Sequence, residues 1–187
     1  LMERKNNMNE DQFVEKVTNL VKEVLPENYL PLKKANLYYQ ITVDNNLNVT
    51  VDPKNPKRGQ SAFQTDLCIF LRKSDILLPK VVFEFKNSIS THDIITYSNK
   101  AKRHKQIYPY LRYGLISYGI SKIPKRFFLH NEGIDFYLAL KGHLSNLEIV
   151  LKRLIEEEVK ISNVLESTIF SDEEYDFFRM DVKFQNF

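Results

Sequence analysis

The chain has 187 residues, 43% of them hydrophobic and 27% charged: enough apolar material for one packed core, and no biased tract of the kind that marks a disordered or fibrous protein. Its single cysteine, Cys68, lies among apolar residues, which excludes an internal disulfide framework and points to a reducing compartment. The first eleven residues are polar and charged, no apolar run reaches membrane-spanning length, and the net charge is only +3, so the expectation is a cytoplasmic protein without signal peptide or membrane span.

In chain order, Asn9 is a candidate N-cap, and Phe13, Val14, Val17, Leu20, Val21 and Val24 recur at helical spacing up to Leu25-Pro26, predicting a first helix. Residues 37–43 and 47–51 are rich in β-branched and aromatic side chains and flank Asp44-Asn45-Asn46, the pattern of a hairpin. Residues 53–60, with Pro53, Pro56, Gly59, Lys54, Lys57 and Arg58, read as an exposed basic loop. Two apolar strands follow, 63–71 and 80–86, as the centre of a sheet. Thr91 is placed to cap a second helix, with Asp93 in its first turn, that runs through Ile107 to Pro109. Strands are expected at 111–118, 127–130 and 134–140, and a closing helix at 143–159. The stretch 170–187 is acidic and aromatic, without a strong period. This order predicts a mixed α/β fold in a single domain over residues 1–187, with a core at about 9–118 and a C-terminal strand and helix extension at 119–187.

Charge is unevenly spread. Between Ile94 and Asn131 there is no acid, while Lys100, Lys102, Arg103, Lys105, Arg112, Lys122, Lys125 and Arg126 supply eight positive charges. From Glu132 onward, twelve acids face six bases. A basic middle suggests a face for a polyanion, and the plainer reading is a solvated basic helix surface.

The residues that carry chemistry sit on the two apolar strands. Alternation along 81–86 sends Val81, Phe83 and Phe85 to one face and Val82, Glu84 and Lys86 to the other. Glu84 and Lys86 therefore project side by side from an apolar strand, where unpaired charge is costly. Asp66 belongs to the preceding strand, and if the strands are sheet neighbours two carboxylates and one lysine converge. Such hard oxygen donors suit Mg²⁺, which keeps several waters and completes its shell with phosphate oxygens. The Glu-x-Lys spacing has little weight alone, because Glu158-Val-Lys160 repeats it and Glu3-Arg-Lys5 does as well. Its setting distinguishes Glu84-Phe85-Lys86, which ends an apolar strand, follows a second strand bearing an aspartate and precedes a capped basic helix.

In this arrangement Thr65-Asp66, the following Glu84-Phe85-Lys86 and the helix after them resemble the PD-(D/E)xK nuclease superfamily, the fold of many type II restriction endonucleases. The resemblance covers about residues 9–118 and implies a restriction-endonuclease-like core of helix, mixed central sheet, helix and strand, with the C-terminal helix an addition. It departs from the family pattern at Thr65, where the family name advertises proline, and in the 38–51 hairpin. It implies that Asp66, Glu84 and Lys86 are catalytic, with Asp66 and Glu84 holding Mg²⁺, for which Mn²⁺ could substitute, and Lys86 serving the attacking water. A first-helix glutamate often joins the metal site in this family, and Glu10 falls on the stripe of Phe13, Val14 and Val17, whereas Glu15 does not. The second helix is then expected to bring Lys100, Arg103 and His104 to the nucleic acid, helped by Lys57 and Arg58 from the basic loop. DNA is the expected substrate, cut by a homodimer. The alternatives are a non-catalytic nucleic-acid-binding module, a repair, mobile-element or RNA-directed nuclease on the same core, and a structural domain with a sheet-edge ion pair.

Overall fold

The computed structural model describes residues 9–141 and 146–184. It is a mixed α/β fold: α1 (Glu10–Val24), β1 (Tyr29–Lys33), β2 (Asn36–Tyr38), β3 (Ala62–Gln64), β4 (Leu67–Lys73), β5 (Ile76–Lys86), α2 (Thr91–Ile107), β6 (Arg112–Ser117), α3 (Lys125–His130), β7 (Phe136–Ala139) and α4 (Leu147–Ile169). Five strands make one sheet in the order β1-β4-β5-β6-β7, and β2 and β3 form a separate two-stranded ribbon. The pairs β1/β4 and β4/β5 are antiparallel, whereas β5/β6 and β6/β7 are parallel. A parallel pair needs a crossover, and α2 supplies the one between β5 and β6.

Both sheet faces are covered, which is why β4 and β5 read as nearly unbroken apolar runs. On one face Leu67, Ile69, Val81, Phe83 and Phe85 pack against Phe13 and Val17 of α1 and Leu151 and Ile155 of α4. On the other, Cys68, Val82, Tyr113 and Leu115 pack against Ile94 and Ala101 of α2 and Leu37 of the ribbon. Both long N-terminal helices start with a reciprocal capping box. In α1 the Gln12 N–H donates to Asn9 Oδ1 at 3.0 Å and the Asn9 N–H to Gln12 Oε1 at 2.8 Å. In α2 the cap is Ser90, one residue before the expected Thr91, because Ser90 and Asp93 have the spacing of a reciprocal pair.

Three local expectations change. The 37–43/47–51 hairpin keeps its turn, with Asp44 accepting from the N–H groups of Asn46 and Asn48 at 2.8 and 2.9 Å, but its ladder shrinks to one bridge between Val43 and Val49. Ile41, Val43 and Val49 are exposed and have no core to pack on, while Leu37 and Tyr38 pair with β3 instead. Residues 127–130 are helical. Pro124 sets the extended φ of −70° that opens α3, and the one-sided burial of Phe127, with Phe128 exposed, suits a helix. The expected 63–71 strand divides into β3 and β4, with Thr65-Asp66 at the joint. The closing helix runs on to Ile169, and the first part of its expected range, 143–145, lies outside the described residues. Residues 171–184 contain no regular element and are exposed. Among the described residues no helix is long and apolar enough to cross a membrane.

The close approach of β7 to β6 depends on Gly114, which lies opposite Phe136. A Cβ there would sit 1.8 Å from the Phe136 ring. Gly114→Ala is therefore expected to destabilise the fold by about 2–3 kcal/mol, read as a lower urea midpoint at unchanged slope, and Phe136→Leu in the same chain should return part of the loss.

Candidate active site

The register of β4 on β5 pairs Leu67 with Phe83, so Asp66, just before β4, comes level with Glu84 and Phe85. The Phe85 N–H donates to Asp66 Oδ2 at 2.8 Å, and the Asp66 N–H reaches Glu84 Oε2 at 3.4 Å. Glu84 is only 1% exposed and projects to the α2 face, as strand alternation requires. Its Oε1 accepts from Lys100 Nζ at 2.6 Å and from the Tyr113 hydroxyl. Lys100 reaches inward from α2 and also donates to the Gln64 carbonyl at 2.7 Å, tying β3 to the same point. Lys86, half-buried at the strand end, holds its ammonium 5.6 Å from the Tyr97 ring centroid, and Lys100 lies 5.7 Å from that centroid. Glu10, in the first turn of α1, completes the group and feels the charges of Asp66 and Lys86.

The electrostatics follow from burial and crowding of like charge. Burial pushes the Glu84 carboxyl up to about 7; the Lys100 ammonium opposes that rise and the Asp66 carboxylate adds to it. Glu10 is raised for the same two reasons, burial first and Asp66 next, with Lys86 opposing. The Tyr97 hydroxyl holds the Lys86 ammonium above its ordinary value against the pull of burial, and Glu10 and Asp66 add to its stabilisation. Tyr97 itself is pushed to about 12, chiefly by burial, and burial lifts Tyr113 well above the usual phenol range. Asp66 and Glu84 thus share a partly desolvated corner with Lys86 and Lys100, within reach of the charge of Glu10.

Among the described residues no three His, Cys, Asp or Glu side chains stand close enough to enclose a metal ion by themselves. The donors nonetheless fit Mg²⁺ or Mn²⁺, which bind through one or two carboxylates and fill the remaining positions with water and phosphate. Asp66 and Glu84 would supply the carboxylates.

The remaining site residues separate clearly. Lys100 is directed into the cluster and away from solvent. His104 lies too deep to touch a phosphate: it is fully buried, its Nδ1 bonds the Tyr38 carbonyl at 2.8 Å, and burial lowers it to about 4, leaving it neutral. Arg103 is exposed on α2, and Lys57 and Arg58 are exposed on their loop. Half of the basic run is taken up in ion pairs: besides Lys100, three of its residues have acidic partners. Lys102 pairs with Glu132 at 3.0 Å, Lys105 with Asp135 at 2.8 Å, and Arg112 with both Asp135 at 3.1 Å and Glu158 at 2.7 Å. Tyr113 is a fully buried core residue, but its hydroxyl serves Glu84. The parallel register of β5 on β6, which sets Val82 beside Tyr113 and Glu84 beside Leu115, is the relation that places it there.

Comparison of the sequence with protein-family models gives no match, and comparison with curated proteins finds no related sequence.

Without divalent cation, folded Glu84 keeps its proton to about pH 7, whereas an unfolded glutamate releases it near 4.5. The folded state then binds more protons in that window, so this residue makes stability fall as pH rises through it. Glu84→Gln removes the titration, and its stability should decline less between those pH values than that of the wild type in guanidinium melts. Parallel pH profiles would show that Glu84 titrates as an ordinary carboxyl.

Proposed function

We propose that the chain is a divalent-metal-dependent endonuclease of the PD-(D/E)xK type that hydrolyses DNA phosphodiester bonds, working as a homodimer in the manner of type II restriction enzymes. The observation that carries this reading is the meeting of Asp66, Glu84 and Lys86 at one strand end, within reach of the charge of Glu10. An ordinary sheet-edge ion pair needs one acid and one base. This corner holds more charge than that, and holds it against burial.

Asp66 and Glu84 would hold Mg²⁺ or Mn²⁺, with Glu10 as the candidate third carboxylate. When bound, the ion supplies charge stabilisation at the scissile phosphate and a more acidic water. The backbone N–H of Phe85 orients the Asp66 carboxylate. Tyr113 and Lys100 orient that of Glu84, fixing the donors before substrate arrives. Lys86, kept protonated by its neighbours, presents its ammonium from the half-buried end of β5, where it can hold a water or meet the charge that develops on phosphate oxygens.

One observation favours a second reading. Lys100 already lies 2.6 Å from Glu84, so the lysine alone neutralises that carboxylate, as it would in a nucleic-acid-binding module without catalysis. Plasmid cleavage separates the two. Wild type is expected to cut with Mg²⁺ or Mn²⁺ and to stop in chelator, while Asp66→Asn, Glu84→Gln and Lys86→Ala should each lose about 100-fold or more in rate. A wild type that leaves DNA and RNA intact with either ion excludes the enzyme.

A further inference from the structure

The β2–β3 ribbon packs beside α2 and leads straight into the candidate site, since Phe63 of β3 stands three residues before Asp66, roughly 10 Å of extended chain. Its outer side carries an aromatic stack. The Tyr39 and Phe63 rings lie 4.0 Å apart and 18° from parallel, and the Arg103 guanidinium is 5.9 Å from the Tyr39 centroid. Phe63 rests edge-on against the buried His104 ring, with centroids 6.0 Å apart, and is still 39% exposed. Next to the stack, Tyr39, Gln40, Asn99, Arg103 and Gln106 line a groove of about 910 Å³, whose lining also includes the ion-paired Lys102 and Glu132.

Charge distinguishes this surface from the rest of the basic region. Lys54, Lys100, Lys102 and Lys105 are each paired with an acid. Lys57, Arg58 and Arg103, which border the ribbon, have no ion pair among the described residues, and Arg58 bridges directly to Ala62 of β3. The ribbon and the groove beside it therefore present a ring stack, amide side chains that can both donate and accept, and three cations without an ion pair among the described residues, of which Arg103 lines the groove and Lys57 and Arg58 lie outside it. Bases in a duplex show only their edges in the grooves, whereas an unpaired base offers a π face, which aromatic and guanidinium groups bind.

We propose that this groove takes an unpaired base, so that the nucleic acid reaching the candidate site carries a single-stranded segment along the ribbon. The base extends the Tyr39–Phe63 stack, Gln40, Asn99 and Gln106 meet its hydrogen-bonding edge, and Arg103, Lys57 and Arg58 follow the backbone. The inference rests on the nucleic-acid reading of the site for its polymer, but the binding it describes needs neither metal nor cleavage.

The test is fluorescence anisotropy of a fluorescein-labelled oligothymidylate, with a duplex of equal length as competitor, on the full chain in chelator. The single strand should bind more tightly than the duplex. Tyr39→Ala should weaken it about tenfold, near the lower end of what one stacked base contributes, while Tyr39→Phe retains binding. Arg103→Gln should reduce the salt slope by about one. Thermal melts of each variant separate lost binding from lost folding. The proposal is overturned if wild type does not bind the oligothymidylate, if it prefers duplex, or if folded Tyr39→Ala binds as wild type does. Stacking-dependent binding without cleavage in Mg²⁺ would remove the nuclease reading and leave this one. Cleavage with binding indifferent to Tyr39 would do the reverse.

Discussion

One buried carboxylate organises this molecule. Glu84 sits in the middle strand with almost no solvent contact, a position where an unsatisfied charge costs several kcal/mol. The chain satisfies it from three directions: Lys100 from α2, Tyr113 from β6, and the Asp66 N–H from the β3–β4 joint. Because Lys100 also holds the Gln64 carbonyl, the same ammonium fixes the ribbon, the helix and the central strand relative to one another. An apolar residue at position 84 would need none of these partners, and the positions of α2 and of the ribbon would then rest on hydrophobic contact, which is far less directional.

The opposite end of the strands shows what charge looks like when it serves structure. Lys80, fully buried within β5, pairs with Glu166 of α4, which also takes Lys73. Arg112, at the start of β6, is held between Asp135 and Glu158, with Lys105 on the first of these. There each base has an acid and each acid a base, and the result is a closed connection between α4 and the sheet. Every charge there is held in a bonded ion pair, whereas at the other end Asp66 and Lys86 have no ion pair among the described residues, and that difference separates a candidate binding site from the structural ion pairs of the same chain.

The cluster was legible in the sequence because strand alternation and an apolar setting are local signals. Asp66, Glu84 and Lys86 could be brought together from two neighbouring strands without knowing anything distant, and Glu10 from the stripe of its helix. What the sequence hid was long-range or contradictory. β1 went unseen because Pro31 lies within it and Pro26 just before it, and proline reads as a breaker although an edge strand tolerates it. The apolar Phe127-Phe128 pair suggested a strand until Pro124 set a helix start. The basic run looked like a polyanion surface because its partners, Glu132, Asp135 and Glu158, belong to later elements and no local pattern announces them. His104, expected at the nucleic acid, shares a helical face with Lys100, and that face is the buried one.

Helix α2 therefore serves two surfaces at once. Lys100 and His104 point inward, one to Glu84 and the other to the Tyr38 carbonyl, while Asn99, Lys102 and Gln106 lie on the outer groove and Arg103 on the flank between them. The two inward holds respond differently to acid. His104 stays neutral down to about pH 4, so its bond to the ribbon keeps the same donor and acceptor through the physiological range. Glu84, with its carboxyl raised to about 7, gains and loses charge within that range, and the strength of its bond to Lys100 changes with it. The hold of α2 on the ribbon through His104 is thus independent of pH, and its hold on the carboxylate through Lys100 is not. A second cation at Asp66 and Glu84 would act on the same variable hold, because it favours the ionised carboxylate over the proton.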